Sequence, residues 1–140
     1  MEERTRAQLV VDQMMEHDAF SQWLGIERIE EAPGRSVLRM TVRKEMLNGF
    51  HIAHGGICYS LADSALAFAS NSHGRKAVSI ETSISHTEPV HAGDVLTATA
   101  VEENAGKKIA FYQVRVMNQH DRLVALFKGT VYRMEKDWEI

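Results

Sequence analysis

The chain has 140 residues, 44% of them hydrophobic and 25% charged, and carries a formal net charge of −3. That composition belongs to a globular protein and not to a disordered or fibrous one, and the length fits one domain, residues 1–140, with a core of its own. The negative charge gives no global attraction for nucleic acid, and no run approaches the ~20 apolar residues of a membrane span, so neither is expected as a partner. The lone cysteine, Cys58, cannot pair within the chain, and the start MEERTRAQLV lacks the apolar core of a signal peptide. Both point to a cytoplasmic setting.

In chain order, residues 2–17 carry Leu9, Val10, Met14 and Met15 among charges, a rough helical stripe. Asp18 is placed to cap a short second helix, AFSQWL, and Gly25 to end it. The stretch IERIEEAPGRSVLRMTV predicts two strands joined by the turn EAPG, with Leu38, Met40 and Val42 on one face. After the loop KEMLNGFHIAHGG, the alanine-rich run from Gly56 to His73 predicts a central helix stopped by Gly74. Val78, Ile80, Thr82 and Ile84 alternate along the next strand. VLTATAVEEN, KKIAFYQVRVMN and LVALFKGTVYRM predict three more, joined as consecutive antiparallel hairpins by AGK and QHD turns. Helices at the N-terminus, one long helix and an antiparallel sheet make an α+β arrangement.

Two features of the central helix bear on chemistry. Gly55 and Gly56 open it, where unpaired N–H groups and the positive end of the helix dipole meet a ligand without side-chain obstruction. They serve either as a tight turn or as a donor site for a developing oxyanion. Asp63 lies mid-helix between Leu61, Ala62, Ala65 and Leu66, an apolar setting that an acid avoids. It is either a structural acid bonded to Ser60 or Ser64, or paired across an interface, or a catalytic group. At 1.5 Å rise, Gly56 and Asp63 stand roughly 10 Å apart on one helix, too far to act on one carbon. Two copies of the helix related by a two-fold axis bring each glycine turn beside the other's acid.

The series LNG…HGG…LAD…NS, followed by strands running to FKGT, resembles the hotdog-fold thioesterases of the phenylacetate-degradation (PaaI) type over essentially the whole chain. The resemblance implies a hotdog fold, an antiparallel sheet wrapped round the long helix, and active sites between two subunits. It implies that Asp63 is the carboxylate that activates water or attacks the thioester carbon. Gly55 matches the glycine whose N–H binds the thioester oxygen, with Gly56 beside it. Asn48 matches the asparagine near the nucleophilic water, and His54 the histidine that helps polarise or position the carbonyl. Ser83 matches a hydroxyl residue that orients water, although TSIS also admits Thr82 or Ser85.

The expected activity is hydrolysis of aryl (phenylacetyl-type) or medium-chain acyl-CoA to acid and CoA by a homodimer or a homotetramer built as a dimer of dimers. Met46, Leu47, Phe50 and Phe68 are candidates for the acyl pocket, and Lys107 and Lys108 for the CoA phosphates. No cofactor is expected, and no metal, since the His51–His54 pair lacks a third ligand nearby. Cys58 is expected to pack the helix face, and Ser60 and Ser64 lack a nucleophile-elbow pattern. The alternative is a hotdog domain that binds acyl-CoA without hydrolysing it, which would have lost the acid. A hydratase on the same fold would need an Asp/His pair in a differently spaced motif.

Overall fold

The structure, a computed structural model, describes residues 3–140. Helices α1 (Arg6–Glu16) and α2 (Ala19–Leu24) lead into strands β1 (Glu27–Ala32) and β2 (Arg35–Thr41). A single 3₁₀ turn, Lys44–Met46, precedes the long helix α3 (Gly55–Asn71). Strands β3 (Arg75–His86), β4 (Val95–Ala105), β5 (Ile109–Met117) and β6 (Leu123–Asp137) complete the chain. Local chemistry sets most of these ends. Thr5 and Gln8 form a reciprocal capping box that starts α1 at Arg6, later than the expected residue 2. Glu2, part of that expectation, lies outside the described residues. Val10 and Val11 form the buried side of α1, whereas Leu9 is exposed. Asp18 caps α2 through the Ser21 N–H, and Gly25 ends it with φ +74°, both as expected.

The six strands form one antiparallel sheet in the order β1-β2-β4-β5-β6-β3. The hairpins β4–β5 and β5–β6 follow the expectation. Strand β3 does not join β4; it pairs with β6 and forms one edge of the sheet. Its alternation is also broken. A register shift between Ser79 and Glu81 leaves Ile80 as an extra residue, so Thr82 and Ile84 face the helix while Val78 and Ile80 are 49% and 58% exposed. The four residues therefore do not share one inner face.

Helix α3 lies across the concave face of the sheet, with Leu61, Ala62, Ala65, Leu66 and Ala69 fully or almost fully buried. Close approach here depends on missing side chains: a Cβ at Gly129 on β6 would stand 2.5 Å from the Leu66 Cδ2 atom. Met46 and Phe68, expected in an acyl pocket, are instead buried members of this core, Met46 from the 3₁₀ turn and Phe68 from α3. The NS pair at the end of α3 locks the helix down. The Asn71 carboxamide donates to the carbonyls of Ala67 and Ala77 and accepts from the Ala77 N–H and the Trp138 Nε1–H. Ser72 donates to the Ala69 carbonyl and accepts from the Gly34 N–H. Among the described residues no helix is long and apolar enough to cross a membrane.

Candidate active site

The start of α3 is shaped by the loop before it. The Asn48 Oδ1 accepts the N–H groups of Phe50 and Ile52, at 2.9 and 3.4 Å, and the Asn48 N–H donates to the Ile52 carbonyl. This curls the loop and leaves the Asn48 side-chain N–H₂ without a protein partner among the described residues. His54 is the N-cap: its Nδ1 accepts the Gly56 N–H at 3.1 Å. A neutral ring with that bond carries its proton on Nε2. The cap also separates the two glycines. Gly56 spends its N–H on the cap, whereas the exposed Gly55 N–H has no partner within the described chain.

Gly55 and Asn48 open onto a cleft of about 340 Å³ whose far wall includes His86 and Val90. A Cβ on Gly55 would lie 3.2 Å from the Nε2 of the exposed His86, a tight contact that the ring would have to ease. Sequence reasoning missed His86, since no local motif announces a strand residue that packs across from a helix start. Cys58 also borders the cleft, but burial pushes its thiol up to about 11, which keeps it protonated and inert.

Asp63 lies elsewhere. It borders a second cavity of about 260 Å³, with Met14 of α1, Leu66 and Ala67 of α3, Ser79 of β3 and Val131 of β6. Its carboxylate accepts no hydrogen bond among the described residues. Ser64 is not its partner, because the Ser64 Oγ pairs with the Ser21 Oγ at 2.8 Å. Burial raises the Asp63 pKa above the ordinary aspartate value, and the negative Asp18 raises it further. The two cavities share no residue. One chain therefore does not bring Gly55 and Asp63 together.

The remaining candidates fall in three places. Ser83 sits opposite Lys128 and borders a hollow lined by Phe111, Gln113 and Thr130, on the face of the sheet away from α3. The pleat turns it from the helix, whereas Thr82 faces α3 and bonds the Tyr59 hydroxyl at 2.7 Å. The β3 hydroxyl that borders the Asp63 cavity is Ser79, displaced in register by the Ile80 bulge, and Ser70 of α3 borders it too, with its own hydroxyl donated to the Ala67 carbonyl. Leu47 is partly buried, and Phe50 is 85% exposed beside Asn48. Lys107 and Lys108 are exposed on the β4–β5 turn. The register Ile109–Tyr132–Val78 puts that turn at the Asp63 end of the sheet. His86, opposite Ala125, marks the Gly55 end. Among the described residues no cluster of three or more His, Cys, Asp or Glu forms a metal site.

Residues 50–125 match the family model described as the thioesterase superfamily. The acyl-coenzyme A thioesterase PaaI of Escherichia coli K12 is 44% identical over 121 residues, which is 86% of this chain and 86% of that protein. The solved E. coli PaaI structure superposes with a TM-score of 0.92 at 41% identity, covering 94% of this chain and 96% of that one. A hypothetical thioesterase of Streptococcus pneumoniae, solved with coenzyme A, gives a TM-score of 0.84 at 25% identity over 90% of this chain and 98% of that one. With the family model matched over more than half of its length and the E. coli relative at 44% identity, the chain belongs to the thioesterase superfamily and is a hotdog-fold thioester hydrolase of the PaaI type.

Proposed function

We propose that the protein hydrolyses acyl-CoA, with aryl or medium-chain acyl groups as substrates, in sites shared between two subunits of a cytoplasmic dimer or dimer of dimers. The observation that carries this reading is the separation within one chain of two incomplete half-sites. One cleft offers the unpaired Gly55 N–H and the Asn48 amide; the other offers an unpartnered, proton-attracting Asp63. The exposed Val78 and Ile80 on the edge strand β3 give a second copy an apolar edge to meet.

In the shared site the thioester carbonyl receives the Gly55 N–H, and His54 holds the glycine turn in place. Asp63 of the other subunit takes a proton from water as the water oxygen attacks the carbonyl carbon, or attacks that carbon itself. Negative charge gathers on the oxygen facing Gly55, the C–S bond breaks and CoA leaves as the thiolate; where Asp63 itself has attacked, water then cleaves the mixed anhydride, releasing the acid and freeing the carboxylate. The raised proton affinity of Asp63 suits the base. Ser79, which borders the same cavity, holds the water, the role that the resemblance implies for Ser83. Phe50 and Leu47 remain as walls for the acyl group, since Met46 and Phe68 are core.

Mixing two inactive chains tests the sharing. Asp63→Asn and Gly55→Val are each expected to abolish hydrolysis in a screen of aryl and straight-chain acyl-CoAs with thiol detection. Unfolded and refolded together in equal amounts, they should regain about a quarter of wild-type activity, because half the dimers then hold one intact site of two. No recovery from folded mixed dimers would place both groups in one chain and overturn the shared site.

A further inference from the structure

The residues of α1, β3 and β6 that border the Asp63 cavity, Met14, Ala77, Val78, Ser79 and Val131, carry no charge. Helix α2 differs. The Ser21 N–H and the Ser21 Oγ both donate to the Asp18 carboxylate, at 3.0 and 2.6 Å. A hydroxyl has one proton, so with the Ser21 proton given to Asp18, the Ser64 Oγ must be the donor in the 2.8 Å Ser64–Ser21 pair. The chain of bonds runs from Ser64 through Ser21 to Asp18. It draws the hydroxyl beside Asp63 in sequence away from Asp63 and anchors a second carboxylate at the junction of α2 with α3.

Resting on the role given to Asp63 above, we propose that Asp18 is a positioning residue for this reaction. It fixes the α2–α3 junction through Ser21 and Ser64, and with it the turn of α3 that carries Asp63. A general base works best when its proton affinity approaches the working pH, and a neighbouring carboxylate supplies that without any contact with substrate. Burial is the larger cause of the raised Asp63 pKa, and Asp18 is the charged group that adds to it.

Asp18 also caps α2, so the test must remove the charge and keep the cap. Asn and Ser are both good N-caps. Asp18→Asn and Asp18→Ser are compared with wild type by the pH profile of kcat/KM and by melting temperature, with Asp63→Asn in the same series. The acid limb should move to lower pH in both variants, giving about two-fold higher relative kcat/KM at pH values along the limb, and the difference should shrink in 1 M salt. An unmoved limb, or a uniform loss at every pH that follows melting temperature, would reduce Asp18 to a cap and overturn the proposal. An active Asp63→Asn would overturn the functional reading itself; an inactive one with an unmoved limb overturns the role of Asp18 alone.

Discussion

Asp63 illustrates how burial and chemistry are coupled in one side chain. Its folded pKa lies above its unfolded value, so the charge costs stability above the folded pKa, and the cost disappears as the pH falls through it. Asp63→Asn removes the charge at nearly constant volume. The variant should lose about 10²- to 10⁴-fold in kcat. Its melting temperature at pH 7 should equal or exceed that of wild type, with the gap closing as the pH is lowered. Near wild-type kcat, or clear destabilisation at pH 7, would return Asp63 to a structural role. The residue could be singled out from the sequence because an acid among buried alanines is costly wherever it sits. Its lack of a partner could not, since Ser64 is one residue away and turns out to serve Asp18 through Ser21.

At the scale of elements, the two ends of α3 do different work. The start leaves a donor unpaired at Gly55 among the described residues, whereas at the end the side chains of Ser70, Asn71 and Ser72 are all hydrogen-bonded. Asn71 satisfies both backbone groups of Ala77 and holds Trp138, all from a buried position. Asn71→Ala should therefore destabilise the fold by about 2–4 kcal/mol in denaturant titrations, since buried backbone groups lose their partners. The kcat of the protein that remains folded should be spared. A large fall in kcat with unchanged stability would move Asn71 from architecture to catalysis. The NS pair was legible as part of a motif, but its purpose was not, because its partners lie on β1–β2, β3 and the C-terminal segment.

At the scale of the whole molecule, the open edge of the sheet carries the argument for assembly. Ile80→Glu places a charge on β3 where the proposed partner would dock, at an exposed site whose own folding should change by about 0.5 kcal/mol or less. Sedimentation should show monomer, and activity should fall with the dimer fraction; an active monomer would remove the shared site. Electrostatics at this scale is local. With a net charge of −3, the protein must hold an anionic nucleotide by nearby bases. Replacing Lys107 and Lys108 by alanine should raise KM more than it lowers kcat, by an amount that shrinks with salt. An unchanged KM would exclude this turn from the nucleotide site.

The sequence by itself determined the elements and the acid: runs parted by the AGK and QHD turns set β4 to β6, Asp18 and Gly25 bounded α2, and the LNG…HGG…LAD series marked Asn48, Gly55 and Asp63. These are short-range signals, carried by side-chain periodicity and by residues whose backbone or charge is costly elsewhere. Only the tertiary structure decided that β3 pairs with β6, that Met46 and Phe68 belong to the core, and that Ser79, not Ser83, borders the Asp63 cavity. Each depends on which face of an element meets a neighbour distant in sequence. A single bulge at Ile80 is enough to reassign the inward-facing residues of β3, because strand side chains alternate with period two.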